Sequence, residues 1–235
     1  MSWLRGFLGV GVEEDWREYA RESILDVNDG IASAAGIAEG FAKAGASSRT
    51  LILAGLAVII AGGLAAAGAR YGEERTEWEM KRSRLDAERA SIEADPEAEF
   101  EELVGMYEAK GLGTELARQV ASSLTAKDPV AAHADVELRL DDLGPTPTGL
   151  YAGLIAGLSY AVGAALPLAV IIVLPVGGRI ELTFAAVLLA LATTGWFASW
   201  LTALSAVRLV RRNLILGAAA MAGGLAVGVV VGAAS

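Results

Sequence analysis

Carboxylates grouped near a single histidine are the residues of this chain best suited to chemistry. Glu99 and Glu102 stand three residues apart and so share one side of a helix, and Glu88 precedes a turn that could fold it back towards them. His133 and Glu137 stand four residues apart, again on one helical face. Hard oxygen ligands with at most one imidazole suit Mn²⁺, Fe²⁺, Mg²⁺ or Ca²⁺ better than Cu⁺. The alternative for each pair is a solvated surface.

A second chemical signal is Asp29, which lies among small and apolar residues. A carboxylate inside a membrane span costs about 2.5–3.5 kcal/mol even on the most lenient insertion scale, so it normally faces a polar pathway, a partner or an ion. Asn28 and Gly30 beside it indicate further amide or backbone oxygens. The alternative is that the span begins after Asp29, which then starts the helix among the headgroups. Glu39 poses the same question nearer the other face, where it could simply end the helix.

Composition excludes several classes of site and partner. The absence of cysteine excludes disulfides, thiolate zinc sites, iron–sulfur ligation and cysteine nucleophiles, and a single histidine excludes a histidine-rich metal centre. The net charge of −9 argues against a nucleic-acid partner, which requires a cationic face. His133 has no triad-like neighbours and no glycine-rich phosphate loop is present, so we expect that the protein is not an enzyme.

The elements that must position these residues are strongly apolar. A mean hydropathy of +0.48 with 54% hydrophobic residues points to a membrane protein. A bilayer core takes about 20 helical residues to cross. Four runs without Asp, Glu, Lys or Arg predict four spans: Thr50–Ala69, Leu143–Gly178, Leu182–Val207 and Asn213–Ser235. A fifth, more polar span is predicted from about Leu25 to Ala44, because it brings the arginines near residue 210 to the same side as the amino terminus.

One acidic segment interrupts the spans. Residues 73–142 contain 19 acidic and 9 basic residues. Asp95-Pro96, Thr114 and Asp128-Pro129 are typical helix starts, so we predict that the second span continues to about Ala94 and that a small helical domain follows. The predicted organisation is an amphipathic amino-terminal segment (1–24, alternatively a frayed end), transmembrane helices one and two (25–72), a cytoplasmic helical metal-binding domain (73–142) and transmembrane helices three to five (143–235).

Glycine recurs at every fourth position in two of the predicted spans, a spacing that lets helix backbones approach closely in lipid. Helix packing within the chain is the first interpretation, and assembly between subunits is the second. The two series are Gly149, Gly153 and Gly157, and Gly224, Gly228 and Gly232.

Three motifs give the chain a family resemblance: Asn28-Asp29-Gly30-Ile-Ala-Ser33, the Asp-Pro-Glu-Ala-Glu segment at Asp95 to Glu99, and Ala126-Lys-Asp-Pro-Val-Ala-Ala-His133. With these motifs the chain resembles the vacuolar iron transporter family from about Arg21 onwards. The resemblance implies an all-α membrane protein, with five transmembrane helices and a cytoplasmic helical metal-binding domain between helices two and three. It also implies a homodimer that exports cytosolic Fe²⁺ or Mn²⁺ by proton antiport, with Zn²⁺ as a further candidate ion.

The resemblance also assigns roles to single residues. Asp29 would be the pathway carboxylate, and His133 stands where relatives use methionine or histidine. The ligands of the cytoplasmic domain would be Glu88, Glu99, Glu102 and Glu137. The partners implied are the lipid bilayer, divalent metal ions, protons and a second copy, with no prosthetic group. The expected location is a bacterial plasma membrane, with the amino terminus and the acidic segment cytoplasmic.

The second span departs from the family pattern. Relatives typically end it Ser-Met-Ala-Ala-Gly-Glu-Tyr, and this chain reads Ala65-Ala-Ala-Gly-Ala-Arg70-Tyr71, so Ala66 and Arg70, or Ala65 and Ala69, replace the methionine and glutamate. Losing the thioether should weaken selectivity for iron. Arg70 adds positive charge near the metal pathway unless Asp26, Glu73 or Glu74 neutralises it. Alternatively, its side chain snorkels to the lipid headgroups. This departure favours a second hypothesis, a non-transporting membrane protein that buffers or senses metal.

Overall fold

The computed structural model describes residues 15–138, 149–173 and 179–234. All the secondary structure in these ranges is helical, which confirms the predicted all-α class. The elements are α1 (Asp15–Lys43), α2 (Ser48–Ala94), α3 (Pro96–Ala109), α4 (Thr114–Thr125), α5 (Pro129–His133), a π-helical turn (Ala134–Leu138), α6 (Gly149–Val173), α7 (Arg179–Thr202) and α8 (Ala206–Ala234). Residues 1–14 of the predicted amphipathic segment and the Gly144–Thr148 linker lie outside the described residues, and residues 15–24 of that segment are the first residues of α1.

The chain divides into two compact units, split after Gly72 and before Gly149. The first unit contains α1, the first half of α2 and helices α6 to α8. The second contains the rest of α2, α3 to α5 and the π-helical turn. As predicted, α2 runs without a break from Ser48 to Ala94.

Four helices of the described chain, α2, α6, α7 and α8, are long enough and apolar enough to cross a membrane. They correspond to the four uncharged runs in the sequence. The predicted end of the third run at Val207 is wrong: α7 ends at Thr202, and Ala203 has a φ of 54°. A residue in the left-handed backbone conformation cannot continue a right-handed helix, so the chain turns there and α8 begins at Ala206.

α1 is more polar than these four helices, yet it packs against α6, α7 and α8. Its register against α7 is fixed by a hydrogen bond of 2.6 Å that Thr194 Oγ1 donates to Asn28 Oδ1. α1 and α7 run antiparallel, so each step forward along α1 matches an equal step back along α7. These steps pair Ile31 with Leu191 and Ala35 with Val187, and all four side chains belong to one buried cluster with Met221.

Both glycine series allow close contact between helices of the same chain. A Cβ added at Gly157 would lie 2.7 Å from the carbonyl oxygen of Gly63 on α2. A Cβ at Gly224 would overlap the carbonyl oxygen of Gly36 on α1, and one at Gly228 would overlap that of Gly40. These contacts confirm the interpretation of packing within the chain.

Aspartate-proline pairs start two helices of the second unit as predicted. Asp95 Oδ1 accepts a hydrogen bond of 3.0 Å from the Ala98 backbone N–H, and Asp128 Oδ1 accepts one of 3.0 Å from the Ala131 N–H. The prediction that Thr114 caps α4 is wrong. Gly113 occupies the cap position, and Thr114 is the first helical residue.

A buried apolar cluster joins α3, α4 and α5 in the second unit. Leu103 is completely buried, and the cluster also contains Val104, Ala117, Ala121 and Ala132. Because Ala132 belongs to this cluster, the neighbouring His133 of α5 is held close to α3. The hydrophobic packing therefore positions the polar side chains that follow.

Candidate metal centre

Glu88 of α2, Glu99 of α3 and His133 of α5 converge in the second unit. His133 Nδ1 lies 2.8 Å from Glu88 Oε1 and 3.9 Å from Glu99 Oε2. One potential ligand atom from each residue lies within 4.8 Å of the other two. Two carboxylates and one imidazole at such separations can bind a divalent cation.

The three side chains are largely removed from water. The side chain of His133 is 3% exposed, that of Glu88 11% and that of Glu99 19%. Within the described chain, His133 Nδ1 makes no hydrogen bond, although Glu88 Oε1 is only 2.8 Å away. An unsatisfied buried polar atom costs about 1–3 kcal/mol, and a bound cation or proton would remove that cost.

Local sequence explains how the three residues meet. The Asp95-Pro96 turn reverses the chain between α2 and α3, which brings Glu88 and Glu99 together. Glu99 lies one helical turn before the buried Leu103, so its side chain flanks the core face of α3. His133 is the last residue of α5 before the π-helical turn, a local irregularity that is frequent at functional sites.

One other predicted ligand, Glu102, is not part of this group. Glu102 is exposed, and the structure does not bring it together with Glu88, Glu99 and His133. Neighbouring residues of an α-helix are turned about 100° from one another, so Glu102 faces solvent while Leu103 faces the core. Glu137 lies in the π-helical turn, but its side chain is outside the described part of the structure.

Glu101 makes an ion pair that the sequence analysis missed. Arg118 of α4 donates to both of its carboxylate oxygens at 2.6 Å each. This hydrogen bonding, together with the positive charge of Arg118, holds the pKa of Glu101 below its ordinary value. The pair links α3 to α4.

Asp29 lies on the outward face of α1, with other exposed residues at four-residue spacing: Leu25, Ser33, Ile37 and Phe41. Beside this face, a groove of about 630 Å³ runs between α1 and α8. Because α1 begins at Asp15, Asp29 is within the helix and does not start it. Of its neighbours, Asn28 accepts a hydrogen bond from Thr194, and Gly30 packs closely on the Tyr160 backbone.

Arg70 is paired with acids of α1. Its guanidinium lies 3.0 Å from Glu22 Oε1 and 3.8 Å from Asp26 Oδ2, and its side chain is 16% exposed. Asp26 is one of the three acids that the sequence offered for neutralising it, with Glu73 and Glu74. Glu22 was not predicted, although Glu22 and Asp26 stand four residues apart on one face of α1.

Comparisons with known proteins agree with this architecture. The family model described as the VIT family matches residues 20–229. The chain is 32% identical over 152 residues to "Vacuolar iron transporter" of Acanthamoeba castellanii, a match that covers 65% of this chain and 55% of that protein. It is 30% identical over 175 residues to "Vacuolar iron transporter 2" of Oryza sativa subsp. japonica, covering 74% and 71% of the two chains. The chain thus spans about half the length of the first relative. With a family match over most of its length, the chain belongs to the VIT family.

Proposed function

We propose that this protein is a divalent metal transporter that exports cytosolic Fe²⁺ or Mn²⁺ in exchange for protons. The observation that carries the proposal is the convergence of Glu88, Glu99 and His133 in a helical unit that interrupts an otherwise apolar chain. Family membership and the names of the two relatives support iron as a substrate. The donor set of two carboxylates and one imidazole suits Fe²⁺ and Mn²⁺, and it also accepts Zn²⁺.

The proposal treats α1 as a fifth membrane span. Although it is too polar to be recognised by hydropathy, α1 packs along α6, α7 and α8, the last three apolar helices. With five spans, the amino terminus and the second unit lie on the cytoplasmic side together with Arg208, Arg211 and Arg212, as the positive-inside tendency requires. The alanine- and glycine-rich composition is the basis for placing the protein in a bacterial plasma membrane.

In this proposal, the second unit captures metal from the cytosol. The imidazole nitrogen and the carboxylates must be deprotonated to bind it, so protons compete with the metal. Glu102 and Glu137 remain proposed ligands, since a bound cation would need more donors than the three that converge. The ion is substrate here and not a resident cofactor.

Asp29 is proposed to pass the ion between two copies of the chain. Its outward position would leave a lone carboxylate facing lipid, which is costly for a charged group. A second copy placed against the face of Leu25, Asp29 and Ser33 would bring a second Asp29 to the same place, so the pathway is incomplete without the partner. Protonation of Asp29 from the outer side would then release the metal and couple the two flows.

Uptake of Fe²⁺ or Mn²⁺ into proteoliposomes tests this function. We expect uptake that responds to a pH gradient and that is lost in Asp29→Ala. Glu97→Gln, which removes an exposed carboxylate on α3, serves as the control and should leave uptake unchanged. The proposal is rejected if uptake does not respond to the pH gradient and is unaffected by Asp29→Ala.

A second candidate function is a membrane protein that buffers or senses metal without transporting it. It is favoured by the replacement of the second-span methionine and glutamate, by Ala66 and Arg70 or by Ala65 and Ala69. This candidate predicts stoichiometric metal binding by the full chain with no flux in proteoliposomes. Measurable flux would eliminate it.

A further inference from the structure

Glu39 is a buried carboxylate that the proposed metal pathway does not use. It lies about three turns beyond Asp29 along α1 and is 2% exposed. Neither of its carboxylate oxygens has a hydrogen-bond partner within the described chain. The alternative that Glu39 ends the helix is wrong, since α1 continues to Lys43.

The register between α1 and α7 places Thr183 opposite Glu39. Ala35 pairs with Val187. One helical turn further on, four residues forward along α1 lead to Glu39, and four residues back along α7 lead to Thr183. Thr183 is 1% exposed, and its Oγ1 also lacks a hydrogen-bond partner among the described residues. Two unsatisfied polar side chains thus occupy the same level of an apolar helix interface.

Among the side chains that the structure describes, no positive charge is paired with Glu39. α8 approaches α1 closely here, because Gly224 and Gly228 of α8 contact the backbone of α1. α6 carries no charged residue, and α8 carries none from Asn213 onwards. Lys43, one turn further along α1, is exposed. On α7, Glu181 adds a second negative charge nearby, while the side chain of Arg179 lies outside the described residues.

We propose that Glu39 is a proton-binding residue, separate from Asp29, that holds a proton in this enclosed arrangement. An unpaired carboxylate in an apolar interior takes up a proton in preference to remaining charged. Protonation removes the negative charge that this apolar interface disfavours. When the contact between α1 and α7 opens, Glu39 releases the proton to the outer aqueous phase and becomes a carboxylate.

This second step rests on the proposed function, because it assigns Glu39 the proton that is exchanged for metal. Asp29 then binds the ion, and Glu39 links its movement to the proton gradient. The two residues therefore predict different defects. Loss of Asp29 stops metal movement, whereas loss of Glu39 leaves metal movement that no longer responds to pH.

Infrared difference spectroscopy of the full-length protein in liposomes tests the protonated state directly. We expect a carboxylic-acid C=O band at neutral pH that disappears in Glu39→Gln and persists in Glu181→Gln, the matched exposed acid. A spectrum of the parent protein without this band, or a band that survives in Glu39→Gln, overturns the proposal.

Transport by the same preparations tests the coupling step. Glu39→Gln should retain Mn²⁺ uptake driven by a Mn²⁺ gradient but lose the acceleration that a pH gradient gives the parent protein. Glu39→Asp, which keeps an acid, should restore part of that acceleration. If Glu39→Gln responds to the pH gradient as the parent does, the coupling role is wrong. If the parent moves no metal, the proposed function fails, and the infrared band still decides whether Glu39 binds a proton.

Discussion

His133 contributes the only nitrogen ligand to the candidate metal centre, and its side chain is almost completely buried. The position of its side chain depends on α5 packing against α3, while Glu88 and Glu99 depend on the turn at Asp95. The sequence predicted all three as candidates, because their types and the family motifs are local features. It could not separate Glu99 from Glu102, since the burial of Leu103 decides which flank of α3 faces inwards.

Removing the imidazole should weaken metal binding by the intact protein. We expect His133→Ala to lower Mn²⁺ affinity at least about tenfold, because a ligand is lost and the two carboxylates are left to bind alone. Titration calorimetry of the full-length protein measures this, with Glu97→Gln as the control. Affinity of the parent should also fall as pH is lowered, since protons compete for the ligand atoms. Equal affinities for parent and His133→Ala would remove His133 from the site.

Arg70 should stabilise the first unit by pairing with α1. We expect Arg70→Gln to destabilise the protein by about 1–3 kcal/mol, because Glu22 and Asp26 are left partly buried and close together. The control is Arg89→Gln, whose pair with Asp86 is exposed and should contribute less than about 1 kcal/mol. Thermal melting in detergent compares the two variants. A larger loss from Arg89→Gln would contradict the assigned role of Arg70.

The ion pair of Glu101 and Arg118 should make stability depend on pH in the acidic range. The pKa of Glu101 is lowered in the folded state from its ordinary value of 4.5, so the stabilisation is complete above that value. It is lost as the pH falls through the lowered pKa. We expect Tm of the parent to fall faster than Tm of Glu101→Gln as the pH drops below 4.5, and high salt should reduce the difference. Parallel Tm profiles would show that the pair contributes nothing.

Helix boundaries show which features of the fold are encoded locally. Asp95 and Asp128 were predictable because a side-chain cap followed by proline specifies a helix start within a few residues. The break at Ala203 was not predictable, because alanine has no preference for a positive φ and the turn is imposed by packing. Hydropathy could not predict that α1 packs against other helices, because it does not distinguish a polar residue that faces another helix from one that faces lipid.

The contact between α1 and α8 should not tolerate a side chain at Gly224. We expect Gly224→Ala to destabilise the protein by about 1–3 kcal/mol, because its Cβ would meet the carbonyl oxygen of Gly36. Gly223→Ala is the matched control: no atom lies within 4 Å of an added Cβ, so it should be neutral or stabilising by up to about 1 kcal/mol. Thermal melting of both variants checks the prediction. Similar Tm values would mean that the helices are not in close contact there.

The whole chain combines two units with different chemistry. The first buries few charged side chains and carries Asp29 on an outward face, and the second concentrates carboxylates around one histidine. The overall arrangement of an acidic helical insert among apolar helices could be predicted from the charge distribution. The burial of Glu39 and the pairing of Arg70 could not, because both depend on contacts between residues far apart in the sequence.

The central claim is that the second unit supplies metal to a pathway through Asp29. The most direct test is the initial rate of Mn²⁺ uptake into proteoliposomes as a function of Mn²⁺ concentration on the side of the second unit. The account predicts that His133→Ala and Glu99→Gln raise the apparent KM and approach the parent rate at saturating Mn²⁺, whereas Asp29→Asn abolishes uptake at every concentration. Uptake curves of all three variants that coincide with that of the parent would contradict it.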